Sequence, residues 1–448
     1  MSNIVPFETK RTCMKSGMPA AVLAIGFGTT VAMWATVYVF HVLLVDVPPP
    51  LILGIMLSCL VGGGVVAGRH VADGLWAAAG VGLVVGVLNL LVLGAALMSG
   101  PEASVPPIWL WLPGWLLGVG VFAVLGEAIG RAFSSEETRP EIDWLPVFAW
   151  VAAVATLLLI TSGGLVTGLR AGLAVPDWPN SFGYNMFLYP LAKMTGGVFY
   201  EHSHRLMGAL IGLTGLTLAI TITAYRRSSL AVALVWLVGV CIAIQGVLGG
   251  GRVVLDSHVL AVVHGFFAQV ILSGLVGVAV LLAPRPLTPD GKPWAIRGVD
   301  RVHATLLVAA LLMQIMLGTV LRQFNHALME HLSIGMLIGL LTIAVGVRSA
   351  ALYPKVRAMS WGGVALLILV VVQIMLGFAA LVFRTPPVDQ SPTAQQLAEH
   401  AVALRPFHAA LITTTHQTTA ALLMATSTMV MVTSWRMVKV PRGTKIAP

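Results

Sequence analysis

Two stretches of this chain, YEHSHRLMGALIGL (Tyr200–Leu213) and MEHLSIGMLIGL (Met329–Leu340), share the pattern H-x-x-x-G-x-L-I-G-L counted from His204 and His331. Each is an apolar helix-like stretch with ionisable residues at its mouth. Ionisable side chains are costly in lipid, and inside a span they are functional candidates by default. A pattern that returns with its histidine at the same point of a helix predicts an internal repeat of helical units.

The composition agrees with helices in a bilayer. Of 448 residues, 58% are hydrophobic and only 10% are charged, against roughly 25% charged in a soluble domain. Apolar runs of about 20 residues recur along the chain, the length needed to cross a bilayer as a helix. The alternation of polar and apolar residues that a β-barrel requires is absent. The fold class is therefore an all-α polytopic membrane protein, with candidate spans at 20–45, 50–68, 75–98, 108–131, 146–168, 203–224, 229–251, 259–283, 302–322, 327–347, 361–383 and 408–434.

Polar segments divide these twelve. SSEETRPEID (Ser134–Asp143) separates four leading spans from eight, and APRPLTPDGKPWAIRGVDR (Ala283–Arg301) splits the eight into two sets of four. The expected layout is a tail (1–19), an extra four-helix region (20–133), a linker (134–145), a first four-helix bundle (146–283), a second linker (284–301), a second bundle (302–436) and a tail (437–448).

The net charge of +9 does not mark a nucleic-acid binder, because the basic residues are scattered through short loops. Lys10, Arg11 and Lys15, then Arg226 and Arg227, Arg285 to Arg301, Arg348 to Arg357, and Arg436 to Lys445 all fall on one side if there are twelve spans. The positive-inside rule makes that side cytoplasmic, with both termini. The three cysteines, Cys13, Cys59 and Cys241, form no C-x-x-C and no disulfide framework. The first apolar run is long enough to be a retained span, not a cleaved signal.

On the opposite, charge-poor side the repeat deepens. Arg170, Arg252, Arg322 and Arg384 follow the fifth, seventh, ninth and eleventh spans, and three of these spans share Q-x-x-L-G at Gln245–Gly249, Gln314–Gly318 and Gln373–Gly377. His264 and His416 each begin H-x-x-x-A. His204 thus pairs by repeat with His331, and His264 with His416. Each four-helix unit carries two histidines at similar depth on its second and fourth spans. Two imidazoles facing across a bundle suit a haem iron, bound from above and below. Zinc calls for three or four converging ligands, and a di-iron centre for several glutamates; neither set is present. Arginine binds carboxylates bidentately, so the four outer arginines are candidate partners of haem propionates; the alternative is snorkelling to the interface. Glu201, three residues before His204 and on the same helix face, is a candidate proton-handling carboxylate or a helix-start anion favoured by the dipole. Of the other histidines, His202, His258, His326, His400 and His408 are expected at loops or the interface, and His41, His70 and His303 have no assigned role.

The segments GLAVPDWPNSFG (Gly172–Gly183), EHSHRLMG (Glu201–Gly208), VVHG (Val262–Gly265) and HQTTA (His416–Ala420), in this order, make the region 146–436 resemble the haem A synthase (Cox15/CtaA, cytochrome oxidase assembly) family. The resemblance implies eight helices in two four-helix halves and an oxidoreductase that converts haem O to haem A by successive hydroxylation of the position-8 methyl group. It implies that His331 and His416 hold a haem b cofactor, that His204 and His264 surround the substrate haem O, and that Glu201 acts with them. Three features depart from the family pattern. Val175 and Ser181 stand where many bacterial members carry loop cysteines, Leu332 follows His331 where an arginine is usual, and the four leading spans have no counterpart. Gly-rich stretches such as GGGVVAG favour close helix packing there, which suggests a docking or stabilising module.

Two other functions use the same histidines. A dihaem b-type electron carrier keeps both ligands on both irons, and a haem-handling assembly factor binds haem without converting it. The lipid bilayer, an electron donor of unspecified kind, haem O synthase, oxidase assembly factors and a second copy of the chain are the partners compatible with these readings; nucleic acid is not.

Overall fold

In a computed structural model, residues 17–43, 48–97, 107–134, 141–225, 227–292, 294–383 and 407–439 are described. They form twelve long helices: α1 (Met18–Leu43), α2 (Pro49–His70), α3 (Gly74–Leu97), α4 (Ile108–Ala132), α5 (Trp144–Gly168), α6 (Gly196–Ala224), α7 (Ser229–Val254), α8 (His258–Leu282), α9 (Gly298–Phe324), α10 (Leu328–Leu352), α11 (Arg357–Val382) and α12 (Phe407–Arg436). Eleven are long and apolar enough to cross a membrane. The twelfth, α12, falls short in hydropathy because threonines and serines crowd it, yet many of these are buried: Thr414, Thr419, Ser427, Thr428, Thr433 and Ser434. Several satisfy themselves on their own helix, as Thr419 does by donating to the carbonyl of Thr415 at 2.9 Å. The protein is an integral multi-pass membrane protein.

The helices arrange as two rings of four preceded by a third group. In the first ring α5 and α7 each touch α6 and α8, and in the second α9 and α11 each touch α10 and α12. The second and fourth helices of each ring are thus diagonal partners. The rings meet where α12 packs on α5 and α8, and α8 on α9. A two-residue parallel pairing of Ala295–Ile296 with Val438–Lys439 ties the second linker to the chain end.

Two helix starts differ from expectation. The sixth span begins at Gly196, not near 203, so Glu201, His202, His204 and Arg205 lie inside the helix. They are tolerated because Glu201 and Arg205 pair at 2.7 Å one turn apart. The ninth begins at Gly298, where Asp300 is paired with Arg348 at 2.6 Å and accepts from the Tyr353 hydroxyl at 2.5 Å. The basic residues gather at this same end of the bundle, where Arg227 meets Asp143 at 2.8 Å and Arg436 donates to the carbonyl of Ala283 at 2.6 Å. Clefts at this end, lined by Asp143, Arg227 and Arg436, lie far from the repeat-placed histidines.

Among the four leading helices, α2 and α4 cross at contact distance through two interlocked small-residue pairs. A Cβ on Gly64 or Gly68 would fall 2.0 or 2.3 Å from the carbonyl oxygens of Ala123 and Glu127, and one on Gly126 or Gly130 would fall 2.1 or 2.3 Å from those of Val61 and Val65. Only glycine lets the backbones approach so closely, which is how helices associate where lipid removes the hydrophobic drive. α1 docks on α5, and α3 touches α6 and the short 3-10 turn Met186–Leu188. Buried residues of α1–α4 and of the first ring form one continuous apolar core, with Phe27 against Phe148 at 5.3 Å between ring centres. The second ring has its own core.

Candidate functional site

The repeat-placed histidines converge in pairs. His204 on α6 and His264 on α8 have ring centres 6.4 Å apart with planes at 71°. His331 on α10 and His416 on α12 have ring centres 6.4 Å apart with planes at 74°. The four are half-buried. Two metal–imidazole bonds of about 2 Å, plus about 1 Å from each nitrogen to its ring centre, sum to roughly 6 Å. Both pairs therefore stand at the separation that one iron atom held from two sides requires. Among the described residues no three His, Cys, Asp or Glu side chains gather, so the donor set is two imidazoles, as haem iron uses, and not a zinc-type cluster.

Each imidazole rests on a glycine of the helix before it. A Cβ on Gly163, Gly249, Gly318 or Gly377 would lie 2.9, 2.9, 3.1 or 3.1 Å from Cε1 of His204, His264, His331 or His416, respectively. The glutamines one turn earlier hold the same histidines. Gln314 donates to the His331 carbonyl at 2.7 Å and lies 3.1 Å from its Nδ1. Gln245 donates to the His264 carbonyl at 2.9 Å, and Gln373 lies 3.4 Å from Nε2 of His416. In α5, which lacks the glutamine, Ser162 Oγ sits 3.3 Å from Nδ1 of His204. At His331 and His204 the contact is with Nδ1, which fixes ring orientation and leaves Nε2 for a metal. The Q-x-x-L-G motif was legible as a repeat marker; its part in seating the histidines was not, because it lies on a neighbouring helix.

The two rings differ in how their first two helices are joined. In the second, α9 and α10 are joined by three residues, Asn325–Ala327; in the first, α5 and α6 are separated by residues 169–195. Arg205 holds this loop. Its Nη1 donates to the carbonyls of Asp177 (2.6 Å) and Asn180 (3.1 Å), and its Nη2 to that of Val175 (2.7 Å) and to Glu201 Oε1 (2.7 Å). The other oxygen of Glu201 accepts from the Val175 amide at 3.0 Å. Both carboxylate oxygens are thus engaged, and Glu201 in this structure is a buried anchor of the loop. Leu332, which follows His331 as Arg205 follows His204, has no such loop to hold between α9 and α10.

The rest of the loop is fastened at three more points. Asp177 accepts from the amides of Phe182 (2.7 Å) and Gly183 (2.8 Å). Burial pushes its carboxyl up, but these amides and the Arg205 charge outweigh it and hold the carboxyl below its ordinary value. Ser181 Oγ lies 3.0 Å from Nδ1 of His202, and both residues are fully buried. His202, expected at the interface, is instead sealed under the loop beside Tyr189. The Trp178 ring lies flat where a Cβ on Gly250 would be, 2.2 Å from Cδ2, so it docks on the end of α7 next to the glycine that seats His264. Val175 and Ser181, in the places of the family's cysteines, are both completely buried.

The outer arginines divide. Arg252, on the helix that seats His264, donates to the carbonyl of Gly172 at 3.1 Å. Arg322 reaches between the rings, donating to the carbonyl of Gly164 at 2.8 Å and to Oε1 of Gln417. Arg170 is exposed, in a left-handed conformation (φ 57°) after α5. Arg384 lies outside the described residues. His258 and His408 meet Phe324 and Phe383, and His326 is exposed.

Residues 184–330 match the family model COX15-CtaA, cytochrome oxidase assembly protein. The match is to a cytochrome oxidase assembly family and covers about a third of the chain. The COX15-CtaA match takes in His204, His264, Glu201 and Arg205 and stops one residue before His331. The second pair joins the first through its geometry, with the same ring separation and the same glycine seats. No curated protein matches the chain.

Proposed function

We propose that this protein is a haem A synthase that oxidises the position-8 methyl group of haem O to a formyl group by two hydroxylations and loss of water. The observation that carries the reading is an asymmetry laid over a symmetry. Both rings present two imidazoles at 6.4 Å between centres, but among the described residues a clamped loop lies beside the first pair alone. A site that converts a substrate has to shield it from bulk water, whereas a resident cofactor needs only its ligands. The first ring also keeps room beside its ligand. A Cβ on Gly208, one turn after His204, meets nothing within 4 Å, while one on the corresponding Gly335 meets Gln314 at 2.7 Å.

In this reading His204 and His264 position the substrate haem, and His331 and His416 hold haem b. Haem b supplies electron-transfer chemistry when bound. Arg252 offers a fixed positive charge for an anionic edge of the substrate, with Arg170 and Arg384 as further candidates and Arg322 given over to the contact between rings. Glu201 positions the Asp177–Trp178 loop through Arg205. To move a proton it must release Arg205 or the Val175 amide, so loop opening and proton handling are linked. The site faces the charge-poor side, which by the distribution of Lys and Arg is the outer side. The electron donor is a membrane or peripheral redox partner, and haem O synthase supplies the substrate.

The test is co-expression with a haem O source followed by haem extraction. Haem A formed only with this chain, and strongly reduced in Glu201→Ala, is the expected result. Two stable low-spin haems with haem O left unconverted would move the assignment to a dihaem electron carrier, which the equal geometry of the two pairs also suits.

A further inference from the structure

The four leading helices have no place in the eight-helix, two-ring plan, yet they are built into one of its two sites. Tyr38 and His41 of α1 both stack on Phe199 of α6, at 5.6 Å with planes 13° apart and at 5.5 Å with planes 22° apart. Phe199 lies five residues before His204 and packs edge-on against Tyr200. From α3, Gly94 abuts the covering loop, since a Cβ there would fall 2.8 Å from Leu188 and 3.1 Å from the Phe187 carbonyl. Aromatic stacking at two neighbouring turns and a close backbone approach to the loop fix α1 and α3 against the His204 side of the first ring.

The Tyr38 hydroxyl is the unexplained atom in this contact. It is buried and has no hydrogen-bond partner of ordinary geometry. A buried hydroxyl without a partner costs about 1–3 kcal/mol, so such a group calls for a reason. Its neighbours are Ser162 and Tyr200, and Ser162 is the residue whose Oγ lies 3.3 Å from Nδ1 of His204. Leu159 stands at the position of the glutamine found in the other three motifs, and Ser162, three residues later, is the residue that meets the His204 ring. Ser162 is thus a hydroxyl between the His204 ring and the Tyr38 hydroxyl, and it can pass a hydrogen bond from one to the other.

We infer that the leading four-helix region completes the first histidine site, and that Tyr38 is a positioning residue whose hydroxyl joins Ser162 in a chain to Nδ1 of His204 when Nε2 binds iron. Nδ1–H donates to Ser162 Oγ, and a short rotation brings the Ser162 and Tyr38 hydroxyls into hydrogen-bond contact. Metal binding at Nε2 makes Nδ1–H a stronger donor, which strengthens the chain. In the second ring Nδ1 of His331 meets Gln314 at 3.1 Å instead. The inference rests on the proposal that the His204–His264 pair holds a haem.

The experiment uses the full-length, haem-loaded protein. Midpoint potentials of the two haems are separated by spectroelectrochemical titration and assigned with His264→Ala and His416→Ala. Tyr38→Phe keeps the stack on Phe199 and removes only the hydroxyl. It is expected to move the potential of the His204–His264 haem and to leave the other in place. Ser162→Ala is expected to move the same potential, and Tyr38→Phe added to Ser162→Ala to change nothing further, the sign of a shared chain. Unmoved potentials in Tyr38→Phe, or fully additive shifts, would overturn the inference while leaving the haem reading intact. Normal Tyr38 behaviour with no haem A formed would instead overturn the enzymatic reading alone.

Discussion

Arg322, on α9 of the second ring, donates to the carbonyl of Gly164 on α5 of the first, 2.8 Å away and one residue beyond the glycine on which His204 rests. Its other guanidinium nitrogen meets Gln417, the neighbour of His416. One side chain thus touches the surroundings of both histidine pairs. Hydrogen bonds from a charged donor contribute roughly 1.5–3 kcal/mol each. Arg322→Leu is expected to lower the melting temperature of the detergent-purified protein and to broaden the low-spin signals of both haems. A variant with unchanged melting and unchanged spectra would show that the two rings are joined by apolar packing alone.

The glycine seats predict site-selective loss. Gly249→Val sets a branched side chain where 2.9 Å separates the added Cβ from His264, and Gly377→Val does the same to His416 at 3.1 Å. The neighbour on the far side is an imidazole fixed to its own helix, so the ring must move. Each variant is expected to retain about half the wild-type haem per chain by pyridine haemochrome assay, with the other haem spectrally normal, because a displaced ligand costs one iron only. Equal loss of both haems would point to general misfolding.

For the interlocked glycines of α2 and α4, Gly64→Leu and Gly126→Leu are expected to destabilise the protein by several kcal/mol, since an added Cβ would fall 2.0 or 2.1 Å from a carbonyl oxygen. Their effect on haem is expected to reach the first site more than the second, because the leading helices share their core chiefly with the first ring, with Ala421 of α12 joining it. Thermal melts with and without haem measure both parts.

Acid should loosen the loop over the first pair. The Asp177 carboxyl titrates below its ordinary value of 3.8 in the folded protein. Its contribution to loop stability is therefore fully present above that value and is lost as pH falls through the lower folded value. Trp178 reports on the loop, since it leaves Gly250 when the loop opens. Its fluorescence is expected to be flat through neutral and mildly acidic pH and to change only below about pH 4. In Asp177→Asn that acid transition should vanish.

Much of this architecture was open to sequence reading. The return of one pattern at His204 and His331, and of H-x-x-x-A at His264 and His416, located the four imidazoles, since helix period and repeat register together fix depth and face. Arg205 and Glu201 were also visible, but as groups for a ligand or a proton. Their actual partners, the carbonyls and amide of residues 175–180, are backbone atoms of an irregular loop, and no side-chain pattern encodes such contacts. Arg322 was read as a group for a ligand, whereas its acceptors here are Gln417 of its own ring and a backbone carbonyl of the other, Gly164. Tyr38 carried no signal: its meaning depends on α1 docking against α5, a long-range contact without a motif.

The account stands most directly on the two imidazole pairs, and low-temperature electron paramagnetic resonance of the purified, oxidised full-length protein measures them. Two low-spin ferric haems of bis-histidine character are predicted, one lost in His264→Ala and the other in His416→Ala. A single haem signal that survives both substitutions, or high-spin iron unaffected by either, would contradict it.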